Sequence, residues 1–286
     1  MGDRVRGAGQ GVHEGLRDPG RVTETEPFLT VDLGNTRCKV REWRLGTGDP
    51  ELAGSADFEG ELRLVERVAR WLATRAPAGR AALSNVASDE TAERMAGVLR
   101  AHIEGELLRL PETGLEILCR APETVGRDRL YTALGALLRA GRSTLVVDAG
   151  TALTVDAVVA AGPAAAAVGS FLGGAIAPGP ELLARALAEG AERLFEVRPR
   201  PGSPALGRDS RSAMEGGVAV GFRGAARELV EAVSRDAHLA AAPVVLTGGA
   251  RNFLLEPEPF TRRELLVVPE LVHLGLIAAA QRACAP

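Results

Sequence analysis

The chain has 286 residues, 46% of them hydrophobic and 25% charged, with a net charge of -3. That length is enough for two lobes around a large buried core, and the slight acidity argues against a basic nucleic-acid surface or a polybasic membrane patch. Cys38, Cys119 and Cys284 are odd in number and widely spaced. They point to reduced thiols in a cytoplasmic protein, with no disulfide framework and no cysteine metal cluster.

Residues 1–26 are rich in glycine and charge and hold no apolar run, so they read as a disordered leader rather than a signal peptide. The folded part is expected to start near Pro27. Thr30–Val40 then reads T-V-D-L-G-N-T-R-C-K-V, an apolar strand, a glycine turn and a second strand over Arg37–Trp43. Lys39, in that second strand, is the only lysine of the chain, so it carries more information than any single arginine. It either touches a phosphate or ends the strand facing solvent.

Leu62, Val65, Val68, Trp71 and Leu72 recur at helical spacing, Ala81–Val86 reads as a buried strand, and Ser88 reads as the N-cap of a helix running to about Ile103. Leu115–Cys119 is a further short strand, and strands alternating with helices argue for an α/β protein. Pro122–Leu130, P-E-T-V-G-R-D-R-L, leads into an amphipathic helix that stops at Gly141. Asp128 stands at the start of that helix. There a carboxylate is a good N-cap, and the helix end also stabilises an ionised group able to accept a proton; the two roles are compatible.

Val146–Asp156, V-V-D-A-G-T-A-L-T-V-D, repeats the first phrase, with Asp148 lying 116 residues after Asp32 (148 − 32). One such phrase is also an ordinary hairpin signal. Two at half-chain spacing suggest two similar lobes, each offering an Asp–Gly–Thr turn to a shared cleft. Backbone N–H groups in such a turn form an anion nest, and an Asp beside a phosphate calls for a cation between them. Ala157–Pro180 carries no charge over 24 residues, but its Gly and Pro breaks make it two buried strands and a glycine turn rather than a membrane span.

A helix is expected over Glu181–Arg193, a loop over Arg198–Gly207, and a long helix capped by Ser210 and reaching Ala237. Ala213, Gly217, Gly221 and Gly224 or Ala225 form a small-residue stripe along it, suited to close packing within the chain or across a dimer interface. Val244–Asn252 is a strand running into T-G-G, and Pro269 starts a C-terminal helix.

In order, D-L-G-N-T-R-C-K, V-G-R-D-R, D-A-G-T-A-L-T-V-D, G-G-A-I-A-P-G, G-R-D-S-R-S-A-M-E-G-G and L-T-G-G resemble the type III pantothenate kinases. These are a branch of the acetate and sugar kinase/Hsp70/actin superfamily, and the resemblance covers about residues 28–280. It implies an α/β fold of two duplicated ribonuclease H-like (actin-like ATPase) lobes with a cleft between them. We place the lobes at residues 27–141 and 142–286.

The resemblance further implies ATP-dependent phosphorylation of pantothenate to 4′-phosphopantothenate by a homodimer with Mg²⁺ and a monovalent cation, K⁺ or NH₄⁺. Asp32, Leu33, Gly34, Asn35, Thr36, Arg37, Cys38 and Lys39 would form the phosphate loop, with Asp32 on the Mg²⁺ side. Thr151 would contact ATP from the other lobe, and Asp148 would hold the monovalent cation. Gly126, Arg127, Asp128 and Arg129 would line the pantothenate site with Asp128 as general base, and Ser210 stands where relatives commonly carry a substrate-contacting Thr. Arg129 would pair with pantothenate or steady Asp128. Arg127 at a position where a small residue is common, and Cys119 where many relatives carry Tyr, motivate another small-molecule kinase of the superfamily as the alternative. A non-catalytic protein that kept the fold is the third reading.

Overall fold

The computed structural model describes residues 26–34, 37–60, 63–162 and 165–284. The leader, Asn35, Thr36 and Leu62 lie outside the described residues, apart from Glu26. That residue opens the first strand, one position before the expected start. In chain order the strands are β1 (Glu26–Leu33), β2 (Arg37–Leu45), β3 (Glu51–Glu59), β4 (Arg80–Asn85), β5 (Leu107–Arg109), β6 (Leu115–Ile117), β7 (Thr144–Ala149), β8 (Ala152–Ala160), β9 (Gly169–Pro178), β10 (Val244–Thr247) and β11 (Leu265–Val267). The helices are α1 (Leu64–Leu72), α2 (Asp89–Arg100), α3 (Arg127–Ala140), α4 (Pro180–Gly190), α5 (Ser210–Asp236) and α6 (Leu271–Ala283).

The duplication expected from the repeated phrase is written into the sheets. The first sheet runs β3-β2-β1-β4-β5 and the second β11-β10-β7-β8-β9, with β6 added beside β9. In each, an antiparallel meander of three strands is followed by two strands added parallel to the first. β1 therefore corresponds to β7, and Asp32 to Asp148, each near the C-terminal end of its central strand.

β3, β5 and β11 are absent from the sequence reading. β3 (E-L-A-G-S-A-D-F-E) is a mostly exposed edge strand with no apolar alternation, and the other two are only three residues long. The uncharged stretch from Ala157 is divided between β8 and β9, and among the described residues no helix is long and apolar enough to cross a membrane.

Helix starts differ from expectation at α6, which begins at Leu271 rather than Pro269, and at two caps. Gly126, not Asp128, is the N-cap of α3, which leaves the Asp128 side chain free of the capping role. Asp209, not Ser210, caps α5, because its carboxylate accepts from the Ser212 N–H (2.8 Å) while the Ser212 hydroxyl accepts from the Asp209 N–H (3.2 Å).

α1 and α2 cover one face of the first sheet, and α5 covers one face of the second. Between the two sheets lie α3 and α6. α3 packs Leu130, Ala133 and Leu137 against Val146, Val158 and Phe171 of the second sheet, whereas α6 packs Leu276 and Ile277 with Phe28 and Trp43 of the first. Each half thus lends its last helix to the other half's sheet. The sheets divide between β5 and β6, so β6 and α3, placed before the 141/142 boundary by sequence, are structurally part of the second sheet's layer.

The two helices cross at Gly135 and Gly275. A Cβ on Gly275 would lie 1.8 Å from the Tyr131 carbonyl oxygen, so only glycine permits this approach. A buried polar cluster fixes the start of α6. The Trp43 Nε1–H donates to the Thr30 hydroxyl (2.7 Å), which lies 2.8 Å from His273 Nδ1. Arg41 donates to Glu270 (2.7 Å) and Asp57 (2.6 Å). Burial, then the Arg41 and Lys39 charges, hold His273 well below the usual histidine range, so it is neutral at pH 7.

Candidate active site between the two lobes

β1 turns into β2 through Gly34, whose N–H donates to the Arg37 carbonyl (2.9 Å). β7 turns into β8 through a turn one residue tighter, the Gly150 N–H donating to the Ala152 carbonyl (2.9 Å). The corresponding carboxylates have corresponding neighbours: Asp32 pairs in register with Lys39 and Ser84, and Asp148 with Thr154 and Thr247.

The two turns face one cleft, since Arg37 of the first lines a single cavity with Gly150 and Thr151 of the second. Burial pushes the Asp32 carboxyl up to about 6, opposed by the Lys39 charge and reinforced by Asp128. Burial likewise pushes Asp148 up to about 6, opposed by Lys39 and reinforced by Asp128, Asp32 and Asp156. Lys39 stands opposite Asp32 in register, and its charge acts on carboxylates of both lobes. Asp32 and Asp148 have no ion-pair partner of their own among the described residues, whereas Asp156 is paired with Arg129. Among the described residues no three His, Cys, Asp or Glu side chains are grouped closely enough to hold a metal by themselves. Any cation here would be completed by phosphate oxygens and water, as Mg²⁺ commonly is.

The rest of the first turn is divided in role. Leu33 and Cys38 are fully buried in the α1–α2 core, so they can offer a ligand only backbone. Burial, with the Asp32 and Asp57 charges, drives the Cys38 thiol up to about 12, and it is chemically inert. Arg37 leans across the mouth, 3.2 Å from Glu59 of its own lobe and 3.6 Å from Glu181 of the other. With Gly150, Thr151, Gly249, Ala250 and Phe253 it lines a cavity of about 170 Å³. Thr151 is exposed there, and its carbonyl accepts from the Gly179 N–H (2.9 Å). Gly248, in T-G-G, has φ +95°, and a Cβ on it would lie 2.4 Å from Asp148 Oδ1; this is the physical reason for that glycine.

On the second side of the cleft, the first turn of α3 presents Asp128 and Arg129. Asp128 is half-buried, its Oδ1 accepting from the Arg129 N–H (2.9 Å). Arg127 turns outward and forks onto Glu112 (3.0 and 3.2 Å), away from Asp128. Arg129 is held by a carboxylate that the sequence reading did not name. Its Nε donates to Asp156 Oδ2 (3.3 Å), its Nη2 donates to Asp156 Oδ1, and its guanidinium lies 5.4 Å from the Phe171 ring centre. Asp156 is the residue that sequence reading missed; it ends the second copy of the repeated phrase, and its position there was the available signal. Ser210 is exposed at the start of α5, and among the described residues no hydrogen bond or ion pair ties it to the Asp128 turn.

Comparison with known proteins agrees with this arrangement. The family model for type III pantothenate kinase matches residues 28–232. A type III pantothenate kinase from Nitrosomonas eutropha is 30% identical over 264 residues, covering 89% of this chain and 94% of its own. Those from Thermus thermophilus and Rhodococcus opacus are 31% and 34% identical over 78% and 89% of this chain, and 87% and 95% of theirs. A solved structure from Sinorhizobium meliloti, assigned as a 2-dehydro-3-deoxygalactonokinase, superposes with TM-score 0.50 at 15% identity over 91% of this chain and all of the other, a likeness of fold alone. With duplicated lobes, paired turns and the G-x-D-R helix start in one cleft, this chain belongs to the type III pantothenate kinase family.

Proposed function

We propose that this chain transfers the γ-phosphoryl group of ATP to the terminal hydroxyl of pantothenate, giving ADP and 4′-phosphopantothenate, the first step toward coenzyme A. The observation that carries the reading is the convergence of Asp32, Asp148 and Asp128 on one cleft, where the Asp128 charge acts on both buried carboxyls.

The phosphates would lie against the Gly34 and Gly150 turns, with the nucleoside toward the Arg37–Thr151–Phe253 cavity. Asp32 would face the Mg²⁺ that accompanies ATP, and Asp148 the monovalent cation. Two buried carboxylates held near 6 with a single lysine between them favour bound cations. Such ions neutralise charge on the transferring phosphoryl group, whose loose transition state asks mainly for positioning and charge stabilisation. Asp128 would orient the acceptor hydroxyl and take its proton, while Arg129 holds a polar oxygen of pantothenate and Gly126 closes the turn around it. Arg127, paired outward with Glu112, leaves room for the substrate despite its size.

A homodimer would complete the site. Gly217, Gly221 and Gly224 line one face of α5, and a Cβ on any of them would meet nothing within 4 Å. Packing within the chain therefore does not explain the stripe, and a second subunit does. Ser210 at the head of the same helix would then reach a substrate across that boundary.

The test is ADP release by purified protein given MgATP, pantothenate and either K⁺ or NH₄⁺. Pantothenate-dependent turnover supports the assignment, and turnover only with a different alcohol moves it to another kinase of the superfamily. Equal rates in Na⁺ and K⁺ buffers would remove the monovalent role of Asp148.

A further inference from the structure

Asp156 is 2% exposed, and burying a carboxylate costs several kcal/mol unless it is paired. Its partner is Arg129, from a different element and 27 residues away. The carboxylate grips the guanidinium by its Nε edge, and the Phe171 ring of β9 supports it 5.4 Å away. β9 makes room for this on the other side as well. Gly174 stands opposite Asp156 in register, and a Cβ there would lie 2.4 Å from Asp156 Oδ1. Three elements, α3, β8 and β9, thus define one position for the Arg129 fork.

Of the five guanidinium N–H groups, Asp156 engages two, leaving Nη1 and one N–H of Nη2 for another acceptor. We propose that Asp156 is the positioning residue of the substrate site: it locks Arg129 by one edge so that the remaining donors meet pantothenate, and it keeps the guanidinium off Asp128. The proposal rests on reading Arg129 as a substrate-site residue. Without Asp156, the carboxylate left whose charge acts on Arg129 is Asp128, the base itself, two positions along from Gly126 on the same helix turn. Arg129 would then swing to Asp128 and occupy the oxygen that the acceptor hydroxyl needs. Burial raises the Asp156 carboxyl and Arg129 pulls it back, as expected of a carboxylate tolerated there only for its partner.

The experiment compares Asp156→Asn, Arg129→Gln and the double variant by steady-state kinetics, with KM for ATP and thermal unfolding as checks on the fold. Asp156→Asn is expected to raise KM for pantothenate at least about tenfold, a loss of about 1.4 kcal/mol, while KM for ATP stays within about twofold. Because Asp156 acts through Arg129, the double variant should be no worse than Arg129→Gln alone. Additive losses, or equal damage to both substrates' KM values, overturn the proposal by making the pair merely structural. Unchanged KM for pantothenate in Asp156→Asn also overturns it. If Arg129→Gln itself leaves that KM unchanged, the placement of pantothenate falls and the proposal with it. Should Asp156→Asn not fold, Asp156→Glu keeps the charge, displaces the carboxylate by one methylene, and must show the same split.

Discussion

Gly275→Ala tests whether the α3–α6 crossing sets the position of the chemistry. The added Cβ would lie 1.8 Å from the Tyr131 carbonyl oxygen, and the Gly135 N–H group lies 3.0 Å from the same point. Reaching ordinary van der Waals contact requires the helices to part by about 1.5 Å. Overpacking of this kind costs about 1–3 kcal/mol, and the better helix propensity of alanine returns about 1 kcal/mol. The net loss is therefore at most about 2 kcal/mol, a fall in Tm of no more than about 8 °C for a domain of this size. Activity should suffer far more. Tyr131 sits one turn beyond Asp128 on α3, and a displacement near 1 Å at a reacting group costs about a hundredfold in rate. The assay is kcat alongside thermal unfolding, with Gly97→Ala as the control. Gly97 is exposed on α2 with nothing within 4 Å of an added Cβ, so that variant should gain stability and keep full activity. A Gly275→Ala protein with kcat within twofold of the parent would refute the reasoning.

Three other outcomes are expected. Asp128→Asn should retain the fold and nucleotide binding while kcat drops about 10²–10⁴-fold, the usual worth of a general base; near-parental kcat would reduce Asp128 to a helix-end charge. Asp32 and Asp148 have folded pKa values of about 6 against 3.8. Between those values the folded chain binds more protons than the unfolded one, so their contribution to stability falls as pH rises to about 6 and is wholly unfavourable above it. Added K⁺ and MgATP should therefore raise Tm more at about pH 7.5 than at about pH 5, and the reverse order would contradict it. Gly221→Glu, placing a charge in the exposed glycine stripe, should convert a dimer to monomers by light scattering; an unchanged dimer would place the interface elsewhere.

The repeated Asp–Gly–Thr phrase announced the two lobes, and the sheets carry the same strand order because a strand–turn–strand unit with a buried β-branched first strand is a local instruction. Helices read by their apolar spacing, such as α1, α2 and α3, were also legible, since one face of each meets a sheet. What the chain could not announce arises where distant segments meet. β5 and β11 are three-residue strands that exist only because a neighbour offers its edge. Leu33 and Cys38 belong to a phosphate-loop phrase, yet the strand pleat turns their side chains into the core.

Sequence by itself determined the α/β duplication and picked out Asp32, Asp128 and Asp148 as candidates, because each is marked by residues within a few positions of it. Tertiary structure alone decided that Arg129 pairs with Asp156, that the Lys39 charge acts on acids of both lobes, and that Gly275 lies under Tyr131. These are contacts between elements, and their energies depend on burial and approach distance, quantities that come into being only when the two sheets close on α3 and α6.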